Sequence, residues 1–402
     1  MIRFLLVALF LISTARLSFG QKSTTTSEDS LSREGQGVTA STTIGGYGNA
    51  LYRRDVRQET AHVDLERVVI FVGHRFTPEI AFFSELEMED AKVGGGHDGG
   101  EIALEQAYVK FSIDPDHYIT AGLFLPRLGI LNENHLPTSF NGNERSQVET
   151  YVIPATWREL GVGFYRTLSA SSFTYSAAIV NGLNSAGFQH GSGIREGRFE
   201  GRNASANNLA VTGSLQLNPG SLMIQLSGYY GGTVGLSPTR ADNLGLSSGI
   251  FGTPVLIGEA DLQYSGGGFT ARLLGAVVSI PEAFSINRVY SNNTPQTEYG
   301  AYAELAYNLL EGPGGSGPKQ LIVFCRYERL NLNASIPTNG IDDGTLDQHH
   351  IIAGVSYLPI GNVVIKADAR FEHTGDANPL VSGNPDHKAD NTFITLGIGF
   401  AY

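Results

Sequence analysis

Between residues 127 and 159 lie Arg127, Glu133, Glu144, Arg145 and the adjoining pair Arg158 and Glu159. Opposite charges at this density can do two things. They can pair and hold a segment in place, or, set across a narrow wet opening, they can impose a transverse field that sorts ions by sign. The same stretch carries the only tryptophan, Trp157, with Ile130, Leu131, Val148, Tyr151, Val152 and Ile153. About thirty residues is long for a connection without periodicity. So much apolar content must pack on something. Pinning is the stronger reading for Trp157-Arg158-Glu159, and both readings stay open for Arg127 and Arg145.

Other chemistry is scarce. One cysteine excludes an internal disulfide framework and a cysteine-rich metal site. His349 and His350 are adjacent on a predicted strand, so they point to opposite faces and cannot share a metal. No HExxH or GxSxG occurs. The glycine run around His97, from Gly94 to Gly100, lacks the lysine and the strand–turn–helix setting of a phosphate loop and reads as a surface loop. No metal, cofactor or enzymatic activity is expected.

The elements that must carry these charges are strands. Fifty Gly with 17 Tyr and 21 Phe argue for many strands and turns. From about residue 44 onward the apolar period is two. In 363–372, Val363, Ile365, Ala367, Ala369 and Phe371 alternate with Val364, Lys366, Asp368, Arg370 and Glu372. Phe82, Leu86 and Met88 oppose Glu85, Glu87 and Glu89, and Leu256, Ala260 and Tyr264 oppose Glu259 and Asp261. About sixteen strands of roughly ten to thirteen residues are expected, longer than soluble strands and long enough to cross a bilayer. Short connections (Thr77-Pro78, 114–116, 169–171, 218–220, 265–267, 359–361) alternate with long ones near 53–61, 90–100, 127–158, 182–205, 232–253, 281–296, 332–345 and 374–390. An antiparallel barrel with tight turns on one side and long loops on the other has this rhythm. Tyr108, Phe111, Tyr118, Tyr264, Phe269, Tyr307, Tyr357, Phe371, Phe400 and Tyr402 fall near strand ends, where interfacial girdles belong. Cys325 reads as a small outward-facing hydrophobe.

Residues 1–20, with Arg3 and an apolar run from Phe4 to Ile12, read as a secretory signal. Residues 21–43 read as a flexible polar segment, and 44–402 as the barrel domain. Removing Arg3 and Arg16 moves the net charge from −12 to −14, which argues against nucleic acid as a partner. No run of 18 apolar residues follows, so no membrane helix is written in the chain. An exported soluble β-sandwich adhesin or binding module stays open as the alternative.

The C-terminus, Thr395-Leu396-Gly397-Ile398-Gly399-Phe400-Ala401-Tyr402, resembles the terminal signal of bacterial outer-membrane barrels. Residues 121–127 (AGLFLPR), 129–133 (GILNE), 143–145 (NER) and 153–163 (IPATWRELGVG) resemble the third-loop region of the phosphate-selective porin (O/P) family. The resemblance implies an all-β transmembrane barrel of about sixteen antiparallel strands in a Gram-negative-type outer membrane. It also implies a long third loop folded into the lumen, a homotrimer, and insertion by the barrel assembly machinery. The implied activity is passive diffusion of small hydrophilic solutes and ions, with anions such as phosphate among the candidates. Arg127, Glu133, Glu144, Arg145, Arg158 and Glu159 would form the constriction. The expected inward set is Glu85, Glu87, Glu101, Glu105, Glu259, Asp261 and Glu304 against Arg272, Arg326, Lys366 and Arg370. It leans acidic, so the basic track of that family is not matched residue by residue.

Overall fold

The strands alternate between an exposed apolar face and a buried, largely polar one. The computed structural model describes residues 40–90, 102–167, 172–311, 319–381 and 387–402. Sixteen strands follow in order: β1 (Ser41–Asp55), β2 (Thr60–Arg75), β3 (Ile80–Glu89), β4 (Ile102–Ser112), β5 (His117–Phe124), β6 (Glu159–Arg166), β7 (Phe173–Asn181), β8 (Leu209–Leu217), β9 (Leu222–Gly231), β10 (Val255–Gly266), β11 (Phe269–Ser279), β12 (Thr297–Asn308), β13 (Gln320–Ser335), β14 (Asp347–Ile360), β15 (Val363–Thr374) and β16 (Asp390–Ala401). Each pairs antiparallel with its neighbours, and β1 pairs with β16 from Tyr47↔Ala401 to Asp55↔Phe393. The sheet is therefore one closed barrel. That excludes the two-sheet sandwich.

Closure leaves no strand edge unpaired, which is the condition for a sheet to sit in lipid. On β15, Ile365 and Phe371 are exposed while Lys366 and Arg370 are buried; on β10, Leu256 and Tyr264 are exposed while Glu259 and Asp261 are buried. Val162, Ile179, Leu215, Leu226 and Leu305 continue the exposed apolar set around the ring. An apolar belt on a closed barrel is the surface of a membrane-spanning protein. Cys325 is exposed, on this outer side. Among the described residues, no helix is long and apolar enough to cross a membrane.

Three expectations change. The first connection, expected to be long over 53–61, is only Val56–Glu59. Asp55 Oδ1 accepts the Gln58 N–H at 2.8 Å, and Glu59 takes a left-handed φ of 56°, which closes the hairpin tightly. Second, β1 begins at Ser41, inside the segment expected to be flexible. Third, Tyr108 and Tyr118 do not join an outer girdle. They are buried on the inner side, where Tyr108 stacks on Phe83 at 5.3 Å and Tyr118 on Tyr165 at 5.0 Å. For Tyr108 the reason is a β-bulge: Glu85 pairs with Gln106 and Leu86 with Leu104, leaving Glu105 as the extra residue. A bulge reverses the side-chain parity that follows it. The expected signal, most of the polar N-terminal segment, the glycine run at 94–100 and Glu101 lie outside the described residues.

Long connections occupy one end of the barrel and grip one another. Two carry short helices, α1 (Pro238–Leu244) and α2 (Ala283–Tyr290). His190 Nε2 meets Asp343 Oδ2 at 3.0 Å, Asn292 Nδ2 donates to Ser185 O at 3.0 Å, and Thr294 Oγ1 donates to Phe188 O at 3.0 Å.

Candidate functional site

The connection 125–158 joins β5 to β6 and is bound along its whole length. Its apolar part is Leu128, Ile130, Leu131, Val148, Val152, Ile153 and Trp157, all nearly or fully buried. These pack with Phe188, Ile194, Ile280 and Ile286 of other connections and with Tyr229, Val255 and Leu330 of the strands. Glycines make room for the approach. A Cβ on Gly300 of β12 would stand 2.8 Å from Val148 Cγ1, one on Gly399 of β16 would stand 2.7 Å from Pro137 Cβ, and one on Gly397 would collide with the Asn143 side chain. Glycine within a strand marks such close contacts.

Charges complete the binding. Lys366 Nζ donates to Phe140 O at 2.8 Å and to Gly142 O at 2.7 Å. Asp368 Oδ2 accepts the Asn143 N–H at 2.8 Å and its Nδ2 at 2.6 Å. Arg272 Nη2 donates to Ser139 O at 2.9 Å. Glu328 Oε2 accepts the Gln147 N–H at 2.6 Å and Ser146 Oγ at 3.1 Å. Arg326 sits between Glu304 (3.2 Å) and Glu328 (2.6 Å). Glu149 Oε1 accepts the N–H groups of Ile130 (2.7 Å) and Leu131 (2.6 Å), and its Oε2 accepts Tyr302 Oη at 2.7 Å. Burial lifts the Glu149 carboxyl to about 7, against the pull of those three donors.

The residues anticipated from sequence separate into groups. Arg127 and Glu133 pair with each other at 3.0 Å, with Arg127 beside the Tyr118–Tyr165 stack, 5.0 Å over the Tyr165 ring. Glu159 is fully buried and accepts Trp157 Nε1 at 2.6 Å and Asn181 Nδ2. Glu259 and Asp261 meet Ser227 and Gln225, and Gln225 Nε2 also donates to Gly129 O at 3.2 Å. Arg272, Arg326 and Lys366 hold the connection as described. Glu85 and Glu105 lie against His135 of the connection. Glu87, Glu144, Arg145, Arg158 and Arg370 line one cavity.

That cavity, of about 450 Å³, opens between β1–β3, the connection 125–158 and the next one, 182–208. Seven arginines (Arg53, Arg67, Arg145, Arg158, Arg195, Arg198, Arg370) face six glutamates (Glu66, Glu87, Glu89, Glu144, Glu196, Glu200). Most are paired. Glu144 bridges Arg53 (3.0 Å) and Arg370 (2.9 Å), Glu200 bridges Arg158 (3.0 Å) and Arg198 (3.0 Å), and Arg67 meets Glu87 at 3.3 Å. Arg145 differs. Its Nη2 is buried without a hydrogen-bond partner, and no carboxylate among the described residues lies within ion-pair distance of it. Burial and the Arg67 charge push its guanidinium below its ordinary range, and Glu105, Tyr47 and Glu87 oppose them. Sequence reasoning missed Arg53, Arg67, Arg195 and Arg198, which become neighbours only when β1 and β2 meet two separate connections.

No protein-family model matches the chain. A protein of Aquifex aeolicus (strain VF5), described as uncharacterized, is 30% identical over 344 residues, covering 82% of this chain and 76% of that one. This chain belongs to the family of that Aquifex protein. Among solved structures, the outer membrane channel DcaP of Acinetobacter baumannii aligns with a TM-score of 0.56 at 10% identity, over 90% of this chain and 97% of that one. The anion-selective porin from Comamonas acidovorans aligns at 0.52 and 13%, over 90% and 100%. A loop L8 deletion mutant of OmpT of Vibrio cholerae aligns at 0.53 and 11%, over 90% and 99%. At these identities the likeness is one of fold. This chain has the sixteen-stranded barrel fold of outer-membrane porins.

Proposed function

We propose that the chain is a passive porin of a Gram-negative-type outer membrane, with the connection 125–158 inside the lumen as the constriction. The cavity beside it is the water-filled path for small hydrophilic solutes and ions. The observation that carries this reading is the division of the barrel: an apolar outer face, and within it a cavity lined mostly by charged and polar side chains. Such an interior admits water and ions and repels apolar solutes.

Small anions are the favoured cargo. Among the described residues, Arg145 offers the one lining guanidinium without a carboxylate partner, and arginines outnumber glutamates in the lining. A phosphate-specific track is less supported, because acids alternate with bases along the path. Residues 1–20 would direct export and be cleaved. Resemblance to porins extends the proposal to a homotrimer inserted by the barrel assembly machinery.

The test is a planar bilayer containing the refolded mature chain under asymmetric KCl. Discrete conductance steps with a reversal potential on the anion side support the reading. A cation-side reversal potential would overturn the anion preference, and a folded, membrane-inserted protein without steps would overturn the channel.

A further inference from the structure

Where the connection 125–158 meets β3 and β4, Glu85, Glu105 and His135 bring one ligand atom each to within 4.8 Å of the others. All three are buried, and Glu105 is fully so. His135 Nε2 stands 3.7 Å from Glu85 Oε2 and 3.7 Å from Glu105 Oε2. That is too long for a hydrogen bond. His135 Nε2 and Glu105 Oε1 are both buried without a hydrogen-bond partner. Among the described residues, no Arg or Lys makes an ion pair with either carboxylate. Two buried carboxylates with so little compensation call for a positive charge between them.

The remaining geometry orients the three groups toward a cation. His135 Nδ1 lies 2.9 Å from the carbonyl oxygen of Asn132, which can only accept, so Nδ1 carries the proton. Nε2 points at the carboxylates and can take a cation in place of its own proton, with the backbone contact that fixes metal-bound imidazoles. The bulge at Glu105 turns Glu105 and Gln106 to the same side. Gln106 Nε2 holds Glu85 Oε2 at 3.1 Å, and Tyr47 Oη holds Glu105 Oε2 at 2.9 Å. Two bonds of about 2.0–2.1 Å to one ion place their ligand atoms about 3–4 Å apart, which the two 3.7 Å His135–carboxylate distances match.

We propose that Glu85, Glu105 and His135 bind a divalent first-row cation of zinc type, which staples the connection 125–158 to the barrel wall. One imidazole and two carboxylates suit such an ion, whose charge neutralises both acids. The site needs the fold but not the channel activity, so the two proposals fail separately.

The experiment uses the mature protein refolded in detergent, stripped with EDTA, loaded with Zn²⁺ and gel-filtered. Bound metal is counted by mass spectrometry, and the ligands are read by X-ray absorption. The expected result is one retained zinc per chain with a nitrogen and oxygen shell lacking sulfur. It is lost to background in H135Q and in E105Q and kept in H349Q, which controls for exposed histidines. Folded wild-type protein that retains no zinc, or H135Q that retains as much as wild type, would overturn the proposal. If both variants fail to fold, the wild type decides by Co²⁺ loading. Ligand-field bands of a bound imidazole–carboxylate site support it, and the spectrum of free aqueous Co²⁺ overturns it.

Discussion

The barrel interior has two unlike sides. Along β6–β12 it is closed by apolar packing of Val148, Val152, Ile153 and Trp157 against Phe188, Ile194, Ile280 and Ile286. Along β1–β3 and β15 it is charged, and a cavity remains. The first side buries side chains that satisfy themselves by contact alone. The second buries charges that must be paired, and pairing leaves gaps that water can fill. One loop serves both. Its apolar half packs on the first side, and its charged tip, Asn143 to Arg145, lines the cavity of the second, the proposed passage.

The anchoring charges should matter more for stability than the charges of the passage. The largest expected effect is Arg326→Ala. It leaves Glu304 and Glu328 buried without their cation and should cost about 3–5 kcal/mol in urea unfolding in lipid vesicles. A neutral result would make the two sides energetically alike. Phe188→Ala should cost about 3–4 kcal/mol by emptying the apolar side. The fluorescence of Trp157, the only tryptophan and fully buried, reports the transition.

The Glu149 carboxyl sharpens the comparison by pH. Its folded value, about 7, stands above the unfolded 4.5. Below pH 4.5 both states are protonated and no penalty exists. As pH rises from 4.5 to 7 the unfolded chain ionises first, so stability falls by roughly 3 kcal/mol and stays lower above 7. Glu149→Gln should flatten that slope in pH-resolved unfolding; an unchanged slope would assign the titration to other groups. Gly300→Ile should cost about 1–3 kcal/mol by overpacking Val148 and Val152. It should also widen the conductance step by displacing the loop, and an unchanged step would detach the loop from the passage.

Much of this was legible beforehand. The alternation in 363–372 gives both the outward Ile365 and Phe371 and the inward Lys366 and Arg370, because a period of two survives wherever a strand is regular. It fails at Glu105, where the bulge reverses parity and carries Tyr108 inward. Pinning of Glu159 through Trp157 was readable from their adjacency. The hold of Lys366 on Gly142 was not, since more than two hundred residues separate them. His135 gave no signal, because its partners are on strands and its own segment has no period. The inward glycines Gly300, Gly397 and Gly399 did carry one: glycine at a wall position announces something packed against it.

The central claim is that Arg145 governs an open path while the other charges hold the loop. The direct measurement is the reversal potential of Arg145→Glu beside wild type in planar bilayers under asymmetric KCl, with unfolding stability recorded in parallel. The reversal potential should shift from the anion side to the cation side; stability should fall as well, because the new carboxylate is buried near Glu87 and Glu105, so the comparison is made on folded, conducting protein. An unchanged reversal potential from a folded, conducting variant would contradict it.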